Sequence, residues 1–175
     1  FAGIWHLHRR AAQRCHSVAR FDATRGGGRF NWADMSCLAN AKGIEMERIT
    51  KSFERQSIIK TFGAQMMVVE LGHVEITAPI LPGSLQQHGY AHAGLIFALG
   101  DSAAGYAALT MMEEGCEVLT AEMKINLLAP GRDGPLRAVG HVEKSGARLV
   151  IVRADVFDGD VKVALMQGTM VPVRV

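Results

Sequence analysis

Apolar positions recur along this chain with two different periods, and the places where the period changes map its elements. In "EVLTAEMKINLLAP" (117–130), Leu119, Ala121, Met123, Ile125 and Leu127 fall on one face and Thr120, Glu122, Lys124 and Asn126 on the other, the mark of a half-buried strand. Two turn signals follow, "KSGAR" at 144–148 and "FDGDV" at 157–161, the second with the Asp-Gly pair of a tight hairpin. They separate "PLRAVGHVEK", "RLVIVRADVF" and "VKVALMQGTMVPV". Connections this short predict antiparallel neighbours, because parallel strands need crossovers. Upstream, "MMVVELGHVEITAPI" reads as strand, a break at Leu71-Gly72, and strand again.

The helical period appears twice. "ERITKSFERQSIIKTF" (47–62) places Ile49, Phe53, Ile58 and Phe62 at near-helical spacing and predicts a short amphipathic helix. Residues 93–112 are almost wholly apolar, rich in Ala and Leu and too long for a strand. The absence of a polar face predicts a helix buried nearly all round. The order is helix, two strands, one long buried helix, four strands. A single apolar helix and an antiparallel sheet bury their faces most simply against each other. The predicted fold is therefore α+β, a curved antiparallel sheet wrapped around the helix at about 93–112: the hotdog arrangement.

At 175 residues the chain holds one domain with a sizeable core. Its first 45 residues differ from the rest. They carry seven of the 19 basic residues and three of the 17 acidic ones, with "RGGGR" in the middle and no sustained period. The expected organisation is an extension over 1–45, without fixed order, and one domain over 46–175. The extension has the composition of an organellar transit peptide. Upstream sequence from a wrong start, with Met35 or Met46 as the true beginning, explains it more simply. The remaining 12 basic and 14 acidic residues offer no basic face for a nucleic acid. Cys15, Cys37 and Cys116 have no framework or metal spacing and point to a reducing compartment. The cytoplasm is expected, or an organellar matrix if the extension is a transit peptide. The acid at the centre of 93–112 and the strand pattern after it argue against a membrane span.

That acid is Asp101. On a helix it shares a face with Gly94, Phe97, Ala98, Ala104, Gly105 and Ala108, mostly small residues that leave room for a second backbone or a ligand. Capping a nearby loop is the structural alternative, yet a buried acid needs compensation. His92 stands at the helix start, where it is either an N-cap or a site residue. The first N–H groups there, of Ala93 or Gly94, point out with the positive end of the dipole and suit an oxyanion. His88 and His92 lack the further ligands of a metal site. No serine sits in a nucleophile elbow.

The run "QQHGYAHAGLIFALGDSAAGYAA" followed by "VLTAEMKINLLAPG" resembles the PaaI-type hotdog acyl-CoA thioesterases over roughly residues 52–175. The resemblance rests on His88-Gly89, the nine-residue step from His92 to Asp101 and the small-residue helix; the first 45 residues have no counterpart. It implies an acyl-CoA or aryl-acyl-CoA thioesterase needing neither metal nor cofactor, CoA being part of the substrate. It also implies a homodimer, or a homotetramer built as a dimer of dimers, with sites shared between subunits. By this analogy Asp101 is the general base or nucleophile, Ala93 and Gly94 supply the oxyanion donor, and His92 orients it. Gln86 holds water or the carbonyl, and Thr120 lies near the acid. Arg148, with Lys144 and Arg132, is the expected contact for the CoA phosphates. Met111 and Met112 are expected in the acyl pocket. The chain has "HAG" where many relatives have His-Gly-Gly, and Gln86 where many have Asn. Two other functions fit less well: a hotdog enoyl-thioester hydratase or dehydratase using a His–acid pair, and a non-catalytic acyl-CoA binding or sensing module.

Overall fold

The computed structural model describes residues 46–174, so the expectations for the first 45 residues lie outside the described residues. Residues 46–54 form α1 and Ser57–Phe62 form α2. Strands β1 (Gln65–Glu70) and β2 (His73–Ala78) follow, then a short 3-10 turn at Pro82–Ser84. The long helix α3 spans Ala93–Leu109, and β3 (Cys116–Leu127), β4 (Leu136–Ser145), β5 (Val150–Asp158) and β6 (Val161–Arg174) complete the domain.

All strand pairs are antiparallel, in the order β1-β2-β4-β5-β6-β3. Helix α3 packs against β2, β3, β4, β5 and β6, so the sheet wraps it as the hotdog arrangement requires. Val74, Ile76 and Ala78 of β2, Leu136 and Ala138 of β4, and Val150, Val152, Ala154 and Val156 of β5 close on Leu95, Leu99, Ala103 and Ala107 of α3. One glycine sets how closely helix and sheet approach. A Cβ at Gly140 on β4 would stand 2.3 Å from the Ala103 carbonyl, so only glycine lets the α3 backbone lie directly on that strand.

Three expectations change. The helix expected over 47–62 is two, because Gln56 is extended (φ −72°, ψ 115°) and donates its side-chain amide to the Tyr106 hydroxyl at 2.7 Å. The break resets the helical phase, so Ile59 is buried and Ile58 is exposed. The long helix stops at Leu109 rather than Met112. Thr110 caps it, its hydroxyl donating to the Ala107 carbonyl and accepting from the Gly72 N–H. Nor is α3 buried all round: Ala103–Leu109 are buried, but Ala93, Gly94 and Phe97 are exposed and Ala98, Asp101 and Ser102 half-buried.

Candidate active site

The open stripe of α3 is the face that carries Asp101. A β-bulge on β3 brings a partner to it. The register with β6 runs Thr120↔Met170 and then Glu122↔Thr169, leaving Ala121 unpaired. A bulge advances the side-chain alternation by one. Cys116, Val118 and Thr120 therefore face the helix before it, and Met123 and Ile125 after it. Strict alternation puts Thr120 on the outer face; the bulge turns it inward, where its hydroxyl donates to Asp101 Oδ1 at 2.8 Å. Oδ2 accepts from no described residue. Burial lifts the Asp101 carboxyl above the ordinary aspartate value, and the Thr120 hydroxyl pulls against that rise.

At the helix start, His92 is the N-cap: its Nδ1 accepts from the Gly94 N–H at 2.9 Å. A Cβ at position 94 would press on the imidazole at 3.0 Å, so the glycine makes room for the cap. This bond fixes the tautomer of His92, leaving its proton on Nε2. It also separates the two candidate oxyanion donors. The Gly94 N–H is engaged by the cap, whereas the Ala93 N–H meets no acceptor among the described residues and points out with the helix dipole.

Gln86, Tyr90, His92 and Ala93 line a cleft of about 480 Å³ closed on its other side by Leu127, Leu128 and Pro130. Gln86 sits in a tight turn, its main-chain N–H donating to the Tyr90 carbonyl at 2.8 Å and its side-chain oxygen accepting from the His88 N–H. Arg132 does not line this cleft itself but packs on Tyr90, which does. Its guanidinium lies 4.6 Å above the Tyr90 ring, with Nη2 donating to the Tyr90 hydroxyl at 2.6 Å. The N–H groups of Arg132 and Asp133 donate to Asp158 Oδ2 at 2.6 and 3.0 Å. Asp158 is partly desolvated, but these amides and that of Gly134 hold its carboxyl below the ordinary value.

Thr120 joins Asp101, and Gln86, His92 and Ala93 gather around one cleft, with Arg132 attached to it through Tyr90. The two groups do not meet within one chain: Asp101 is eight residues beyond Ala93, about 12 Å along the helix axis. Lys144 and Arg148 are exposed at the β4–β5 hairpin, at the end of the sheet opposite Arg132. Met111 and Met112 follow the C-terminal end of α3, about 15 Å beyond Asp101; Met111 packs beside Gly72. They do not line the cleft. Sequence reasoning missed Tyr90, Asp158 and the Leu127-Leu128 wall. The Asp-Gly hairpin signal drew attention to Asp158 only as a turn residue. A second hollow of about 680 Å³ between α1 and β3 contains none of the expected site residues, and its Arg55 is paired with Glu117 at 3.2 Å. Among the described residues no three His, Cys, Asp or Glu side chains group as a metal site, and no helix is long and apolar enough to cross a membrane.

A thioesterase superfamily model matches residues 88–165, the span from the cleft turn through Asp101 and Thr120 to β6. A thioesterase family protein from Silicibacter pomeroyi is 34% identical, with a TM-score of 0.70 over 75% of this chain and 99% of that one. The chain belongs to the thioesterase superfamily. The Escherichia coli PaaI protein of the phenylacetic acid degradation operon shares the fold, with a TM-score of 0.68 at 22% identity over 74% of this chain and 93% of that one. A Saccharolobus solfataricus protein with a provisional esterase name is 27% identical over 117 residues, covering 67% of this chain and 77% of the relative. A hydrolase with the PaaI-type hotdog fold is the class these findings define.

Proposed function

We propose that the protein hydrolyses an acyl- or aryl-acyl-CoA thioester to the free acid and CoA, without a metal or other cofactor in the reaction. The observation that carries this is the Asp101 carboxylate, oriented through one oxygen by Thr120 and open at the other, on the one face of α3 that the domain leaves uncovered. As general base, Oδ2 takes a proton from a water as its oxygen bonds to the thioester carbon. The developing oxyanion is held by the Ala93 N–H, and the C–S bond then breaks, the departing thiolate taking the proton back from Asp101. Attack by Asp101 itself, giving an anhydride that water opens, uses the same groups. His92 fixes the helix start, and Gln86 offers its free amide N–H groups to water or carbonyl.

Because the acid and the N–H are a dozen ångströms apart along one helix, the site takes Asp101 from one subunit and the helix start from another. The uncovered stripe of α3, and the outer strand β3 with Leu119, Leu127 and Leu128 exposed, support a homodimer, alone or paired into a tetramer. Arg132, held on Tyr90, is the proposed phosphate contact from the chain that supplies the helix start, Arg148 and Lys144 lying at the far end of that chain's sheet. The buried free thiol of Cys116 accords with a reducing compartment, cytoplasm or organellar matrix.

Release of CoA, followed with a thiol reagent over short-chain, long-chain and aryl acyl-CoAs, tests the reading. Turnover is expected with at least one class, reduced by roughly 10²–10⁴-fold in Asp101→Asn. Tight acyl-CoA binding without release from any thioester would identify a sensing module instead. In Arg132→Ala, KM for the CoA thioester should rise while that for a short thioester lacking the nucleotide stays unchanged.

A further inference from the structure

The outer face of the sheet, away from α3, carries a second arrangement of titratable groups. Alternation on β2 sends Val74, Ile76 and Ala78 into the core and therefore His73 and Glu75 to the other side. His73 stands directly across from His141 of β4. The two Nδ1 atoms converge to 3.1 Å, with ring centroids 4.6 Å apart and planes inclined by 31°. Both rings are half-buried, so water reaches them.

Two nitrogens each about 2.05 Å from a shared ion stand about 2.9 Å apart at a right angle and about 3.3 Å apart at the tetrahedral angle. The observed separation lies between these values. The second ring nitrogen of His73 faces a carboxylate. Glu75 Oε1 lies 3.4 Å from its Nε2, which favours the proton on that nitrogen and leaves a lone pair on Nδ1. Glu75 is itself held by Arg137, whose Nη1 is 3.2 Å from Oε2. A carboxylate behind an imidazole, itself fixed by a further partner, is how metal-binding histidines are oriented and made more basic. The 3.1 Å contact is itself a hydrogen bond between the two Nδ1 atoms, so an ion that takes its place displaces the proton it holds to the other nitrogen of that ring or to water. On the same face Asp155 is nearly buried, with Oδ1 accepting from no described residue and Oδ2 3.0 Å from Lys162.

We infer that His73 and His141 form a two-imidazole site for a divalent ion of borderline softness, such as Zn²⁺ or Ni²⁺, with water completing the coordination. The site lies on the opposite side of the sheet from Asp101 and is independent of the proposed hydrolysis. Calorimetric titration of the chelator-stripped full chain with Zn²⁺ and with Ni²⁺ tests it. One equivalent should bind to the native protein and be weakened at least tenfold in both His73→Gln and His141→Gln. Glu75→Gln should keep the stoichiometry and weaken binding by roughly 10–100-fold. To separate loss of a ligand from loss of the fold, the native protein is also followed by long-range ¹H–¹⁵N spectra of its imidazoles. One equivalent of Zn²⁺ should shift two ring systems together, and the same two signals should be those missing from the variants. Unchanged stoichiometry and affinity in both histidine variants would overturn the site. So would binding only at millimolar ion, or Zn²⁺ shifts confined to rings that persist in both variants.

Discussion

At the scale of single residues, the role proposed for Asp101 ties activity to a cost in stability. Burial raises its pKa and the Thr120 hydroxyl lowers it. A general base works only when ionised, so the acid limb of the kcat/KM profile should lie above the ordinary aspartate pKa of about 3.9. Removing the hydroxyl in Thr120→Val deletes the stabilising donor. The limb should move to higher pH and kcat should fall, as steady-state rates from pH 4 to 8 would show; an unmoved limb would assign that titration to another group. The linkage has the matching sign. A carboxyl whose folded pKa is raised binds its proton more tightly folded than unfolded, so ionisation costs stability above both values. Asp101→Asn should melt at or above the native temperature at pH 7, with the advantage shrinking as pH falls towards 4. A clear loss of melting temperature at pH 7 would make Asp101 structural.

At the scale of elements, the fold was legible wherever a single period ran unbroken and illegible where the backbone changed phase. Strands β4 to β6 follow from alternation and two turn signals, and α3 from an apolar run longer than a strand. Periodicity cannot see a bulge, since Ala121 is an ordinary strand residue. The same counting therefore aimed Thr120 outward, and only the family resemblance placed it near the acid. The break at Gln56 likewise exchanged Ile58 for Ile59 in the core. The carboxylate and the helix start were readable as residue types; the Tyr90–Arg132–Asp158 cradle was not, because it joins two loops and the end of β5, all distant in sequence. One contact between elements has a definite expectation. Gly140→Ala forces a methyl into the α3 backbone at Ala103, and neither backbone moves without disturbing its own hydrogen bonds. The loss should be at or above the upper end of the ~1–3 kcal/mol typical of overpacking, measured by urea unfolding. A loss below about 0.5 kcal/mol would mean that helix and sheet separate more easily than their packing implies.

At the scale of the whole molecule, the question is whether one chain or two build the site, and position 93 offers a clean way to ask it. Ala93 is the first residue of α3, and His92 before it has φ −64° and ψ 141°. Proline suits both facts: it is favoured at the first helical position and wants an extended residue before it. Ala93→Pro should therefore keep the fold while deleting the one N–H proposed to hold the oxyanion, lowering kcat by about 10²–10³-fold. Asp101→Asn removes the other half of the machinery. If each site draws the acid from one subunit and the N–H from its partner, a mixed dimer has one site with both defects and one with neither. Unfolding the two inactive variants together and refolding them should then give half mixed dimers and restore about a quarter of native activity. The two variants refolded separately should stay inactive. If both groups served the same thioester from a single chain, every site in the mixture would carry a defect and nothing would return. Recovery near a quarter would thus place the reaction between subunits, as the proposed pairing of Asp101 with a second chain's helix start requires.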